Sequence, residues 1–120
     1  MAKVLIVDDA AIMRRNIRLI LEGAGHTVVG EAINGAQAII EYKKYLPDLV
    51  TMDISMPNVD GVEAVKTIIG AYPEAKIIMI SALQQRTMVY EALKAGAKGY
   101  IVKPIVPEKV IETISQILKI

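Results

Sequence analysis

Short apolar runs rich in valine and isoleucine recur along the chain, at residues 4–7, 28–29, 49–50, 77–80 and 100–102. Runs this short, and apolar at every position, read as strands buried on both faces. Between them lie stretches of helical period. In the first, Met13, Ile17, Ile20, Leu21 and Ala24 fall at steps of four, three, one and three and draw a single apolar stripe. Val62, Val65, Ile68, Ile69 and Tyr72 repeat the device, as do Val110, Ile111, Ile114, Ile117 and Leu118. The intervals at 36–46 and 84–95 are looser. Gly25 and Gly96 stand where left-handed helix caps belong, Asp60 can cap the third helix, Pro47 and Pro73 follow helix ends, and Pro107 suits a first turn. Strict alternation of strand and helix forces a parallel sheet with right-handed crossovers, because a hairpin cannot join parallel neighbours. The expected fold is doubly wound α/β: a five-stranded parallel sheet between two layers of helices. In such a sheet ligands bind beyond the carboxyl ends of the strands.

Composition removes several functions. A chain of 120 residues fits one domain, 1–120, and 53% hydrophobic against 22% charged residues is a globular balance. The formal net charge of +1 leaves no field to draw nucleic acid or anionic membrane. With no cysteine and only His26, disulfides and thiolate or imidazole metal sites are excluded. The opening apolar run is too short for a signal peptide, and no run approaches the roughly 20 residues of a membrane helix, so a cytoplasmic protein is expected.

The residues that close the strands carry the chemistry. Strand one ends in Asp8 and Asp9, strand three in Asp53, strand four in Ser81 and strand five in Lys103. One such carboxylate is the ordinary consequence of a strand leaving the core. Three at one sheet edge raise one another's pKa and oppose folding unless something compensates them. Carboxylates without His or Cys are hard oxygen ligands that suit Mg²⁺, which takes one or two of them together with water and phosphate oxygens. Lys103 and Ser81 would then supply charge and a hydrogen bond to a phosphoryl group. Aspartate is a known covalent phosphoryl acceptor, and Asp53, alone on the middle strand, is the candidate.

The stretches "LIVDDA", "DLVTMDISMPNVDG", "IIMISA" and "GYIVKP" resemble, in order and from end to end, the receiver domain of two-component response regulators. Through "VDDAAIMR", "GEAINGAQAI", "PDLVTMDISMP" and "EALKAGAKGYIVKP" the likeness is strongest to the single-domain chemotaxis regulators of that family. The resemblance implies a flavodoxin-like strand order of 2-1-3-4-5, which periodicity does not supply. It implies phosphorylation of Asp53, Mg²⁺ bound by Asp8, Asp9, Asp53 and the backbone carbonyl of Ser55, and phosphoryl contacts from Ser81 and Lys103. It also implies a switch in which the Ser81 hydroxyl moves toward the phosphoryl oxygens while Tyr100 turns inward and alters the surface of helix four, strand five and helix five. The Lys103–Pro104 peptide is expected to be cis, since X-Pro bonds make that form cheap. Such a protein is a phosphoacceptor signalling protein that catalyses its own phosphoryl transfer and dephosphorylation. The partners implied are a histidine kinase (CheA-like), a flagellar motor switch protein (FliM-like) or a phosphotransfer protein, and a phosphatase.

Two positions depart from the family's habit. Ser81 stands where threonine is commoner, and Ile105 follows the proline where phenylalanine is frequent. Ser55 and Leu83 occupy the positions that tune phosphoryl lifetime in the family. Arg14, Arg15 and Arg18 read as a solvated face of helix one, a helix that often meets the kinase in this family, with Ile12 and Met13 as neighbours. His26 and the six methionines read as structural. A haloacid-dehalogenase-type phosphatase is disfavoured because its D-x-D pattern is absent from strand one. A flavodoxin-like cofactor site is disfavoured because two carboxylates repel phosphate there. The remaining alternatives are a phosphorelay intermediate or a receiver cut from a longer regulator.

Overall fold

The computed structural model describes residues 1–54 and 61–120, with Leu83 described by its backbone alone. Five strands alternate with five helices: β1 Lys3–Val7, α1 Ala11–Gly23, β2 Thr27–Ala32, α2 Gly35–Tyr45, β3 Leu49–Asp53, α3 Gly61–Ala71, β4 Ile77–Ser81, α4 Arg86–Ala95, β5 Gly99–Val102 and α5 Pro107–Leu118. All strand pairs are parallel, in the order β2-β1-β3-β4-β5. The doubly wound architecture and its strand order are therefore as expected.

Period-two alternation along the strands builds two cores rather than one. Leu5, Val7, Val50, Met52, Ile77 and Met79 pack with Ala38 and Tyr42 of α2, Val65 and Ile68 of α3, and Val89 and Ala92 of α4. Val4, Ile6, Leu49, Ile78, Ile80 and Ile101 pack on the opposite side with Ile17 and Leu21 of α1 and Val110 and Ile114 of α5. The apolar stripes of α1, α3 and α5 thus bury their central residues.

Element limits differ from the sequence reading where burial is partial. β2 extends to Ala32 although Gly30 and Glu31 break its apolar run, because it is the edge strand and stays half-buried along most of its length. Helix α4 starts at Arg86, two residues later than expected, because a single 3₁₀ turn at Leu83–Gln85 leads into it. Asn34 caps α2, its Oδ1 accepting the Gln37 N–H at 2.8 Å. Gly25 and Gly96 adopt φ of +90° and +121°, the region a Cβ disfavours. The proposed cap Asp60 lies outside the described residues. His26 is buried, and its Nδ1 accepts the Ala2 N–H at 3.2 Å, a structural role at the entry to β2.

One polar atom sits wrongly for a core. The Thr51 hydroxyl, fully buried in the central strand, has no hydrogen-bond partner among the described residues. Burying a hydroxyl unpaired costs on the order of 1–3 kcal/mol. Thr51→Val, which keeps the shape and the β-branch, is expected to raise stability by about 1 kcal/mol in urea unfolding; a loss of stability would show that the hydroxyl is satisfied.

Candidate functional site

Parallel pairing carries the polar strand ends to one edge. Val7 of β1 lies opposite Met52 of β3, so Asp8 and Asp53 follow as neighbours. Asp53 in turn lies opposite Ile80 of β4, and Ser81 opposite Val102 of β5, one residue before Lys103. The backbone ladders continue past the strands: Ile54 N–H donates to Ile80 O at 3.0 Å and Lys103 N–H to Ser81 O at 2.7 Å. Asp8, Asp53 and Ser81 are buried, whereas Asp9 is exposed. Carboxylate oxygens of Asp8, Asp9 and Asp53 all lie within 4.8 Å of one another. Lys103 Nζ stands 3.5 Å from Asp53 Oδ1, and the Lys103–Pro104 peptide is cis. Ser55 lies outside the described residues, as does the side chain of Leu83.

The cluster is electrostatically strained. Burial, more than any other cause, lifts the Asp8 carboxyl to about 6, with Asp53 and Asp9 adding to the rise. The Ala10 N–H, donating to Asp8 Oδ1 at 2.9 Å, and the charge of Lys103 pull the other way. The second oxygen, Asp8 Oδ2, is buried and has no partner among the described residues. A buried acceptor without a donor, beside two further carboxylates, is the arrangement a hard divalent cation completes. The residues present therefore fit Mg²⁺.

Tyr100 is 51% exposed and borders a pocket of about 260 Å³ that Ser81, Val89, Tyr90 and Leu93 also line. Ser81 thus touches a cavity open toward α4 and β5 from the end of the strand beside Asp53. A larger recess of about 800 Å³ opens elsewhere, around Pro47, Pro73 and Ile120, and includes none of these residues.

Two features escaped the sequence reading. Gly61, the first residue of α3, has no room for a side chain: a Cβ there would lie 2.7 Å from Asp53 O and 2.9 Å from Ile54 Cα. In the sequence its "DG" dipeptide is only a weak piece of the family's pattern and carries no sign of this contact. The three arginines do not form a solvated face. Arg15 is exposed, but Arg14 and Arg18 are drawn onto Glu31 of β2, with contacts at 2.8 Å and 2.6 Å, because the edge strand presents that carboxylate to α1. Glu31 is held below the usual carboxylate range, first by the Arg18 hydrogen bonds.

The sequence model of the response regulator receiver domain family matches residues 4–115. The chain is 51% identical to the chemotaxis protein CheY of Thermotoga maritima over 98% of both chains. It is 53% identical to CheY of Bacillus subtilis over 97% of both. Among solved structures, the response regulator domain of Thermotoga maritima CheB superposes with a TM-score of 0.89 at 35% identity, covering 98% of this chain and 96% of that one. The CheX–CheY–BeF3–Mg²⁺ complex of Borrelia burgdorferi gives 0.92 at 36% identity, covering 97% and 88%.

Asp8 binds a proton in the folded state between about pH 4 and 6 that the unfolded chain has lost, so its ionisation withdraws stability as pH rises through its raised pKa. In Mg²⁺-free buffer Asp8→Asn should exceed the parent by about 1–3 kcal/mol above pH 6, the advantage vanishing below about pH 4. Urea unfolding across that range tests this; an advantage that does not change with pH would refute the electrostatic cause.

Proposed function

The chain belongs to the response regulator receiver domain family, and on that footing we propose that it is a phosphorylation-dependent switch that accepts a phosphoryl group on Asp53. The observation that carries the reading is the convergence of Asp8, Asp9 and Asp53 within 4.8 Å, with Lys103 Nζ at 3.5 Å from the Asp53 carboxylate. The family and its relatives support it. The chain covers nearly the full length of the chemotaxis relatives it matches, which favours one receiver unit over residues 1–120.

Each residue then has a defined task. A carboxylate oxygen of Asp53 attacks phosphorus, the bond from phosphorus to the donor nitrogen breaks with its electron pair leaving on that nitrogen, and an acyl phosphate forms. Asp8, Asp9 and Asp53, with the Ser55 carbonyl, would hold Mg²⁺, which supplies positive charge for the phosphoryl oxygens. Lys103 pairs with Asp53 beforehand and with a phosphoryl oxygen afterwards. Ser81, at the next strand end, donates its hydroxyl to another. That displacement reaches the pocket where Tyr100 stands outside, and the ring can turn in to fill it. The surface so altered is apolar and exposed, with Tyr90 at 61% and Leu93 at 36%.

No helix among the described residues is long and apolar enough to cross a membrane. The cytoplasmic location proposed here rests instead on the likeness to the chemotaxis relatives. Its donor would be a histidine kinase of the CheA type and its receiver of the signal a flagellar motor switch protein of the FliM type. The Borrelia CheY is solved in complex with CheX, which supports a further protein partner, and we assign that role here to a phosphatase. Incubation with Mg²⁺ and acetyl phosphate should add one phosphoryl group by intact mass, and chelation by EDTA should suppress it. Asp53→Asn should not label; equal labelling of that variant would overturn the assignment.

A further inference from the structure

Asp8 has four hydrogen-bonding groups, and the protein holds three of them. Its N–H donates to Ala32 O of β2 at 3.0 Å. Its Oδ1 accepts from Ala10 N–H at 2.9 Å, and its carbonyl accepts from Arg14 Nη1 at 2.8 Å. Only Oδ2 is left, buried and without a partner among the described residues. A ligand whose backbone is pinned on both sides keeps its one free oxygen aimed before any cation arrives.

Arg14 performs the pinning from α1, and its guanidinium is fixed in turn. Nε donates to Glu31 Oε1 at 2.8 Å, while the other oxygen of Glu31 accepts from Arg18 Nη2 at 2.6 Å. Glu31 stands on β2 opposite Ile6, two residues before Asp8. One planar group thus ties three pieces together: helix α1, the edge strand and the peptide joining Asp8 to Asp9. The Arg14 side chain is only 17% exposed, so water does not compete freely for these bonds. A lysine could not replace it, because an ammonium is a single point and cannot hold two acceptors in a rigid fork.

We propose that Arg14, clamped by Glu31, is a positioning residue that sets the Asp8–Asp9 peptide and thereby the affinity of the acidic cluster for Mg²⁺. The inference rests on the Mg²⁺ reading above. Charge alone predicts the reverse outcome, which makes the proposal sharp: Arg14 is a cation near a cation site, so its removal should tighten divalent binding by Coulomb's law. Lost positioning should weaken it.

Calorimetric titration of Mg²⁺ into the unphosphorylated chain tests this, with folding checked by circular dichroism. Arg14→Ala and Arg14→Lys should each raise Kd about 10-fold, the scale at which outer partners of a metal ligand act. Arg14→Lys keeps the charge and loses only the fork. Arg15→Ala removes the same charge from an exposed neighbour and should leave Kd within about twofold. Binding by a folded Arg14→Ala as tight as the parent, or tighter, overturns the proposal. Should that variant fail to fold, Arg14→Lys decides instead: with the charge kept, weaker binding supports the clamp, and an unchanged Kd refutes it. A parent that binds no Mg²⁺ would sink the functional reading and this inference with it, whereas a parent that binds beside an unaffected Arg14→Ala sinks this inference alone.

Discussion

All five strands point the same way, and the site follows from that constraint. Parallel neighbours present their carboxyl ends at one edge, so whatever residue closes each strand must face the others there. Asp8, Asp53, Ser81 and Lys103 are far apart along the chain and adjacent across the sheet. The ladder bonds that run past the strands, from Ile54 to Ile80 and from Lys103 to Ser81, seat these residues on a rigid rim rather than on free loops. Gly61 belongs to the same design. Its missing side chain lets α3 begin directly against the backbone of Asp53 and Ile54.

The rim is where like charges oppose the fold. Asp8 is buried among like charges, and Lys103 offsets that repulsion only in part. The fold tolerates this because both faces of the sheet are covered. Ile6, Ile17, Leu21, Ile78 and Ile80 on one side and Leu5, Met52, Ile68, Ile77 and Met79 on the other are almost wholly removed from water. Each contributes roughly 1.5–3 kcal/mol, so a few of them outweigh the cost of one misplaced carboxylate. Electrostatic conflict held in place by surplus apolar burial is what the proposed Mg²⁺ and phosphoryl site would need.

The helices divide the work. On one face α1 carries Arg14, whose contacts reach the peptide between the two adjacent aspartates and the edge strand at once. On the other, α4 and the neighbouring β5 frame the pocket that Ser81 shares with Tyr100. Ser81 is therefore the physical link between the rim and the outer surface. In the proposed switch, a small movement of its hydroxyl would decide whether the Tyr100 ring finds room inside, since packed side chains favour discrete arrangements over continuous deformation.

The apolar runs, the helical stripes and the polar strand ends are local properties, readable because burial repeats with the period of each element. From them came the alternating architecture, the shared edge and the aspartates, Ser81 and Lys103 that stand there. Legibility failed where burial is partial: β2 lies at the sheet's margin, and its continuation through Gly30 and Glu31 has no apolar signature. It failed again for Arg14, which looked like one of three similar arginines. Its distinction lies in the carboxylate of Glu31 and the carbonyl of Asp8, both brought to it by strand register and by the crossing of α1 over the sheet. The same holds for the space that excludes a side chain at Gly61. Periodicity records how much of a residue is buried, whereas the choice of neighbour depends on distances between parts of the chain that meet only after folding.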